Sequence, residues 1–277
     1  MLMNGILVLA ALGALGACFG LGSFSSLAFL WQLPLLFAGL WLGLVLLAFL
    51  FLVLWCLPIS LDQPEADSKA DRRVLYLYEE LALTLLQVKI HTTGLEKLPQ
   101  EGRFLLVCNH LSLLDPLILH IYTKKSQLAF ISKRENDRLF IVNKLMHKTL
   151  CQPINRENDR EALKTILKCV DILEQDKASI AVFPEGYTSR TGHLQPFRNG
   201  VFKIAQRAKV PIVVCTLRGT APIFRNAAHL RRTHVYLDLL EVLPASQLKG
   251  PTKDIGDHVF ATMAQNLGDP MPDTDHS

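Results

Sequence analysis

The chain has 277 residues, a formal net charge of +4 and 50% hydrophobic residues, which is enough for one large domain or two small ones. The average conceals a division, because the first charged side chain is Asp62, and all 29 Lys and Arg and all 25 Asp and Glu lie after residue 61. A wholly water-soluble chain is excluded, and nucleic acid is set aside as a partner because no Lys/Arg run with interleaved aromatics occurs.

The first 60 residues read as a membrane anchor. "GILVLAALGALGACFGL" and "LLFAGLWLGLVLLAFLFLVLWCL" each match the roughly 20 apolar residues that cross a bilayer, and "GSFSS" and "WQLP" break the run between them. This predicts two helices, over about 5–22 and about 35–57, joined as a hydrophobic hairpin. A cleaved signal peptide fits poorly, since no Lys or Arg precedes the first segment and a longer apolar one follows. Lys69, Arg72 and Arg73 lie just beyond the second segment, so the positive-inside rule puts the remainder on the cytoplasmic face. The uncharged turn leaves two arrangements open, a full crossing or a dip into one leaflet.

Residues 61–267 read as a single α/β domain, a strand sheet flanked by helices. "DRRVLYLYEELALTLL" is an amphipathic helix, and "VKIHTTGLEKLPQEG" then alternates like a short strand before a turn rich in Gly and Pro. Then "RFLLVC", "LAFIS", "SIAVF", "PIVVCTL" and "HVYLDLLEVL" read as strands, with "EALKTILKCVDILEQ" and "GVFKIAQRA" as helices among them. In the first of these helices the predicted apolar face is Ala162, Leu163, Ile166, Leu167, Val170 and Leu173. Residues 268–277 lack periodicity and are expected to be a loose tail. "RENDR" occurs at 134–138 and 156–160, but the flanking residues do not match, so it is no repeat.

Of the six cysteines, none forms a C-x-x-C pair, and they read as small buried hydrophobes in a reducing compartment. No H-E-x-x-H or close Cys/His cluster suggests a metal.

"NHLSLLDP" follows the strand "FLLVC" and separates His110 from Asp115 by five positions, a step that would part the two side chains on one continuous helix. If they work together, His110 lies in the turn leaving the strand and Asp115 reaches back from the next helix. The plain alternative is a Ser-x-x-Asp capping box from Ser112, or Asp115 as cap with Pro116 in the first helical position. Three more stretches put polar residues at strand ends, where α/β sheets build ligand sites: "INRE", "FPEGYTSR" and "VPIVV".

In order and separation these four stretches resemble the motifs of the glycerolipid acyltransferases of the 1-acylglycerol-3-phosphate acyltransferase type. Asn109, His110 and Asp115 match N-H-x-x-x-x-D, "INREN" the second motif, "FPEGYTS" part of F-P-E-G-T-R-S, and Val210 to Val213 V-P-I-V. "GLEKLPQEG" and "PFRNGVFKIA" extend the likeness over about residues 70–245.

The resemblance implies transfer of a fatty acyl group from a thioester, on coenzyme A or acyl carrier protein, to a hydroxyl of a lysophospholipid, with no cofactor beyond that co-substrate. An alcohol needs its proton removed as it attacks, and His110 is the general base so implied, with Asp115 fixing its tautomer. Arg156 is assigned to the acceptor phosphate, Glu185 and Gly186 to the acceptor site, and Ser189, Arg190 and Lys133 to further substrate contacts. Tyr187 and Thr188 stand where the family has Thr-Arg, which bears on the acceptor's identity, since Thr does not replace a guanidinium. Other readings are a different lysophospholipid or small hydroxyl acceptor, a thioester hydrolase, or a non-catalytic lipid-binding protein. Ser112 and Cys108 are the candidate nucleophiles of a covalent route, for which G-x-S-x-G is absent.

Overall fold

A computed structural model describes residues 2–62, 66–133, 138–155 and 158–270. The apolar start forms α1 (Leu2–Gly20) and α2 (Phe29–Cys56), both long and apolar enough to cross a membrane. They pack as a hairpin along a stripe of α1 at helical spacing, Met3, Ile6, Ala10, Ala14 and Cys18. Small residues bring the helices close, and a Cβ on Gly13 would sit 3.0 Å from Leu40 Cδ1. The outer surfaces stay apolar, with Phe19 81% and Leu46 59% exposed. Helix α2 begins earlier than the sequence suggests, at Phe29, and carries Pro34 inside its second turn, where the ring cannot donate to the Leu30 carbonyl.

The charged part opens with α3 (Lys69–Leu85), capped by the Ser68 side chain on Asp71 N–H. Val74, Tyr78 and Leu81 of α3 pack against the hairpin. Tyr78 donates to Ala48 O at 2.6 Å, and Trp55 Nε1 donates to Asp71 Oδ1 at 2.7 Å. Arg72, counted above among the cations beside the anchor, is 2% exposed and donates to Leu128 O and Thr149 O, so it also ties the fold together.

The remaining elements are β1 (Val88–Thr93), β2 (Leu105–Cys108), α4 (Asp115–Tyr122), β3 (Ala129–Lys133), α5 (Phe140–His147), β4 (Gln152–Ile154) and α6 (Asp159–Glu174). They continue with β5 (Ile180–Val182), α7 (Lys203–Ala208), β6 (Ile212–Arg218), α8 (Ile223–Ala228), β7 (Thr233–Leu243) and α9 (Thr252–Leu267). The seven strands form one sheet in the order β1-β7-β6-β2-β5-β3-β4. Strand β7 runs antiparallel to β6 and every other neighbouring pair is parallel. Helices cover both faces, α6, α7 and α9 on one and α3 and α4 on the other, which is why the inner strands read as unbroken apolar runs.

One strand escapes the sequence and one local reading is corrected. Strand β4 is three residues long and has no periodic signal. The buried face of α6 is turned from the predicted one: Thr165, Ile166, Cys169, Val170, Ile172 and Leu173 meet the sheet, while Leu163 and Leu167 are 46% and 39% exposed. Thr165 is accepted on this face because its hydroxyl donates to Pro153 O at 2.9 Å beside β4.

Candidate active site

Strands β2, β3, β4, β5 and β6 run parallel, so their C-terminal ends share one edge of the sheet. Asn109 and His110 follow β2 and Phe183 to Gly186 follow β5 at this edge. Asn109, 1% exposed, prolongs the sheet with its side chain: Nδ2 donates to Leu217 O at 2.9 Å and Leu217 N–H donates to Oδ1 at 2.7 Å. The β2 end is thereby fixed to β6, and His110 leaves it in a defined direction.

His110 and Asp115 meet. His110 Nδ1 lies 2.9 Å from Asp115 Oδ2, with side chains 15% and 0% exposed. The same oxygen accepts N–H bonds from Leu111 at 2.7 Å and Ser112 at 2.8 Å. Ser112 Oγ in turn accepts from Leu114 N–H at 3.3 Å. The turn ahead of α4 and the His–Asp pair are therefore one structure, because the carboxylate that closes the turn is the one that meets the imidazole, and α4 itself starts after Leu114 with no side-chain cap. A carboxylate holding two N–H donors has no proton to give, so Nδ1 carries the hydrogen and Nε2 presents its lone pair. The ring face stacks on Phe183 with centroids 4.1 Å apart.

Glu185 is 1% exposed, and both its oxygens are held by backbone: Oε1 accepts from His110 N–H at 2.7 Å and Oε2 from Gln195 N–H at 2.9 Å. Burial pushes its carboxyl up from 4.5 to about 7, against the two N–H donors that favour the charge. Gly186 takes φ 83°, the left-handed conformation that lets the chain turn straight after Glu185. Ser189 is buried, its N–H donating to His110 O at 2.8 Å and its hydroxyl to His193 O at 2.7 Å. Glu185 and Ser189, expected beside the acceptor, thus hold the two ends of the His110 residue.

Arg190 and Tyr187 are exposed on the following loop, and Lys133 is exposed at the end of β3. Arg156 lies outside the described residues, beyond the end of β4 at Ile154. The thiols offered no nucleophile: Cys108 is fully buried with its thiol raised well above the usual range, and burial pushes Cys215 to about 12. Among the described residues no group of three or more His, Cys, Asp or Glu is placed to hold a metal. Sequence reasoning missed the Phe183 stack, the Asn109 tie and Gln195. For the first two, position inside a motif was the available signal, and for Gln195 there was none.

An open imidazole backed by a buried carboxylate, on the C-terminal edge of a mostly parallel sheet, suits an enzyme that deprotonates a hydroxyl. Residues 89–218 match the family model described as Acyltransferase. The 1-acyl-sn-glycerol-3-phosphate acyltransferase of Borreliella burgdorferi is 29% identical over 172 residues, 61% of this chain and 68% of that one. A probable enzyme of the same name from Mycoplasma pneumoniae is 32% identical, over 59% of this chain and 62% of that one. A chloroplastic one from Brassica napus is 34% identical, over 49% and 39%. The chain thus spans from about two fifths to about two thirds of these relatives. The crystal structure of the 1-acyl-sn-glycerophosphate acyltransferase of Thermotoga maritima shares the fold, with a TM-score of 0.60 at 20% identity over 79% of this chain and 86% of that one. Over residues 89–218 the chain is thus similar to the acyltransferases, and its relatives of the 1-acylglycerol-3-phosphate acyltransferase type support an O-acyltransferase enzyme.

Proposed function

We propose that the protein moves a fatty acyl group from acyl-CoA or acyl-acyl carrier protein to the free hydroxyl of 1-acylglycerol 3-phosphate, making phosphatidic acid. The observation that carries this reading is the His110 ring, with Nδ1 on Asp115 and Nε2 without a partner among the described residues. His110 Nε2 takes the hydroxyl proton as the oxygen attacks the thioester carbonyl. The imidazolium so formed, stabilised by Asp115, returns that proton to the departing thiolate. Substrate oxygen is the nucleophile, so no acyl-enzyme forms. Phe183 and the backbone ties through Glu185 and Ser189 hold the ring in register for this transfer.

In the same reading the hairpin lies in the membrane with the catalytic domain on the cytoplasmic face, where lysolipid reaches the site without crossing water. Arg156, Arg190 and Lys133 are the cations proposed for the acceptor phosphate. Thr188 in place of the family's arginine favours a second acceptor class, a lysophospholipid with a larger head group. The test is thiol release by purified protein in detergent, with and without lysophosphatidic acid, with products identified by mass. Release that needs the acceptor and disappears in His110→Ala supports the proposal. Release without any acceptor marks a hydrolase, and none under either condition marks a lipid-binding protein.

A further inference from the structure

The expected tail does not begin loose. Gly268 closes α9 at φ 73°, Asp269 N–H bonds back to Ala264 O at 3.0 Å, and the Asp269 side chain is 8% exposed. Both carboxylate oxygens engage the loop after β5: Oδ1 lies 2.7 Å from His193 Nδ1, and Oδ2 accepts from Leu194 N–H at 2.7 Å.

We infer that Asp269, outside the family-matched residues 89–218, is a positioning residue for His110 and acts through the 189–195 loop and Glu185. Two routes lead from its carboxylate to that ring. By one, Leu194 is followed by Gln195, whose N–H holds Glu185 Oε2 while Oε1 holds His110 N–H. By the other, His193 O accepts the Ser189 hydroxyl, and Ser189 N–H holds His110 O. Within the loop, Ser189, Thr191, His193 and Gln195 bond to one another and Leu194 packs on the core, so its shape is defined and Asp269 fixes where that shape sits. The two bonds from Asp269 join the loop to the end of α9, while Ser189 and Gln195 join it to the His110 side. A base displaced by a fraction of an ångström transfers a proton poorly even when substrate still binds, so the loss falls on turnover rather than on binding.

This rests on the acyl-transfer reading, and the experiment separates the two. Acceptor-dependent thiol release is measured for wild type, Asp269→Ala, Asp269→Glu, Glu185→Gln and the Asp269→Ala/Glu185→Gln double variant. Asp269→Ala is expected to lower kcat about tenfold with KM for both substrates within about twofold, and Asp269→Glu to recover part of it. The double variant should fall no more than about twofold below the worse single one, because both act on one chain of contacts. Multiplicative losses, or an unchanged kcat, overturn the inference. In parallel, hydrogen exchange of full-length protein should show the His110 amide exchanging faster in Asp269→Ala, and unchanged exchange there overturns it as well. Should wild type transfer no acyl group, the acyl-transfer reading fails while the exchange result alone decides the role of Asp269.

Discussion

Two histidine–carboxylate pairs stand at opposite ends of one aromatic column. His110 stacks on Phe183, Phe183 lies 5.8 Å from Phe130, and Phe130 meets His120 edge-on at 4.8 Å. His110 pairs with Asp115 at 2.9 Å, and His120 with Glu79 at 2.7 Å. The chemistry is alike and the surroundings differ. His110 leaves the end of a strand with a side chain 15% exposed, whereas the His120 and Glu79 side chains are 6% and 5% exposed and His120 Nε2 is buried without a partner. A substrate can approach the first imidazole only. The second joins α4, which starts at Asp115, to α3, which packs on the hairpin. Access, rather than the pairing itself, separates a site from a brace.

The largest expected effect breaks the open pair. His110→Ala should lower kcat for acyl transfer by about 10³-fold, and Asp115→Asn by about 10²-fold, with circular dichroism unchanged for the first. Retained turnover in His110→Ala would remove the distinction drawn here. Breaking the closed pair should act on stability instead. His120→Ala leaves a cavity and an unpaired Glu79 oxygen, at a cost of roughly 3 kcal/mol in urea unfolding, with kcat of the folded fraction within about threefold of wild type. Turnover lost from fully folded His120→Ala would mean that both pairs serve the reaction.

A pH experiment sharpens the contrast. Burial raises Glu185 from 4.5 to about 7, so between those values the folded protein keeps a proton that the unfolded chain has released. Its contribution to stability is fully present below pH 4.5 and is lost as pH rises through 7, roughly 3 kcal/mol in all. Unfolding at about pH 5 and pH 8 should show wild type losing stability relative to Glu185→Gln. Equal slopes would show that the two N–H donors outweigh burial. The smallest effect is expected at the thiol beside the site: Cys108→Ala should keep kcat within about threefold, since a buried thiol of raised pKa supplies no thiolate. A dead Cys108→Ala that still folds would reopen covalent catalysis.

Much of this was legible from residues. The hairpin could be read because an uncharged run before Asp62 is long enough for two apolar helices, and the inner strands because burial on both faces leaves no alternation. The α6 face was misjudged because periodicity counts apolar residues, and it was Thr165 and Cys169, not Leu163 and Leu167, that the sheet accepted. Strand β4 was too short to carry a period, and its pairing with β3 defines it. Glu185 and Ser189 were placed near the site by motif, yet nothing local says that their partners are the backbone groups of His110, Gln195 and His193. Asp269 was hidden for the same reason, since its partners lie far away in the chain.

By itself the sequence determined the two apolar helices, the alternation of strand and helix, and the presence of a histidine and a carboxylate at one strand end, because charge, period and spacing are properties of neighbouring residues. Only the tertiary structure decided which histidine is open, which carboxylates brace rather than face substrate, and which distant residue secures the loop. Those depend on what packs against each group, and packing joins residues that the chain keeps apart.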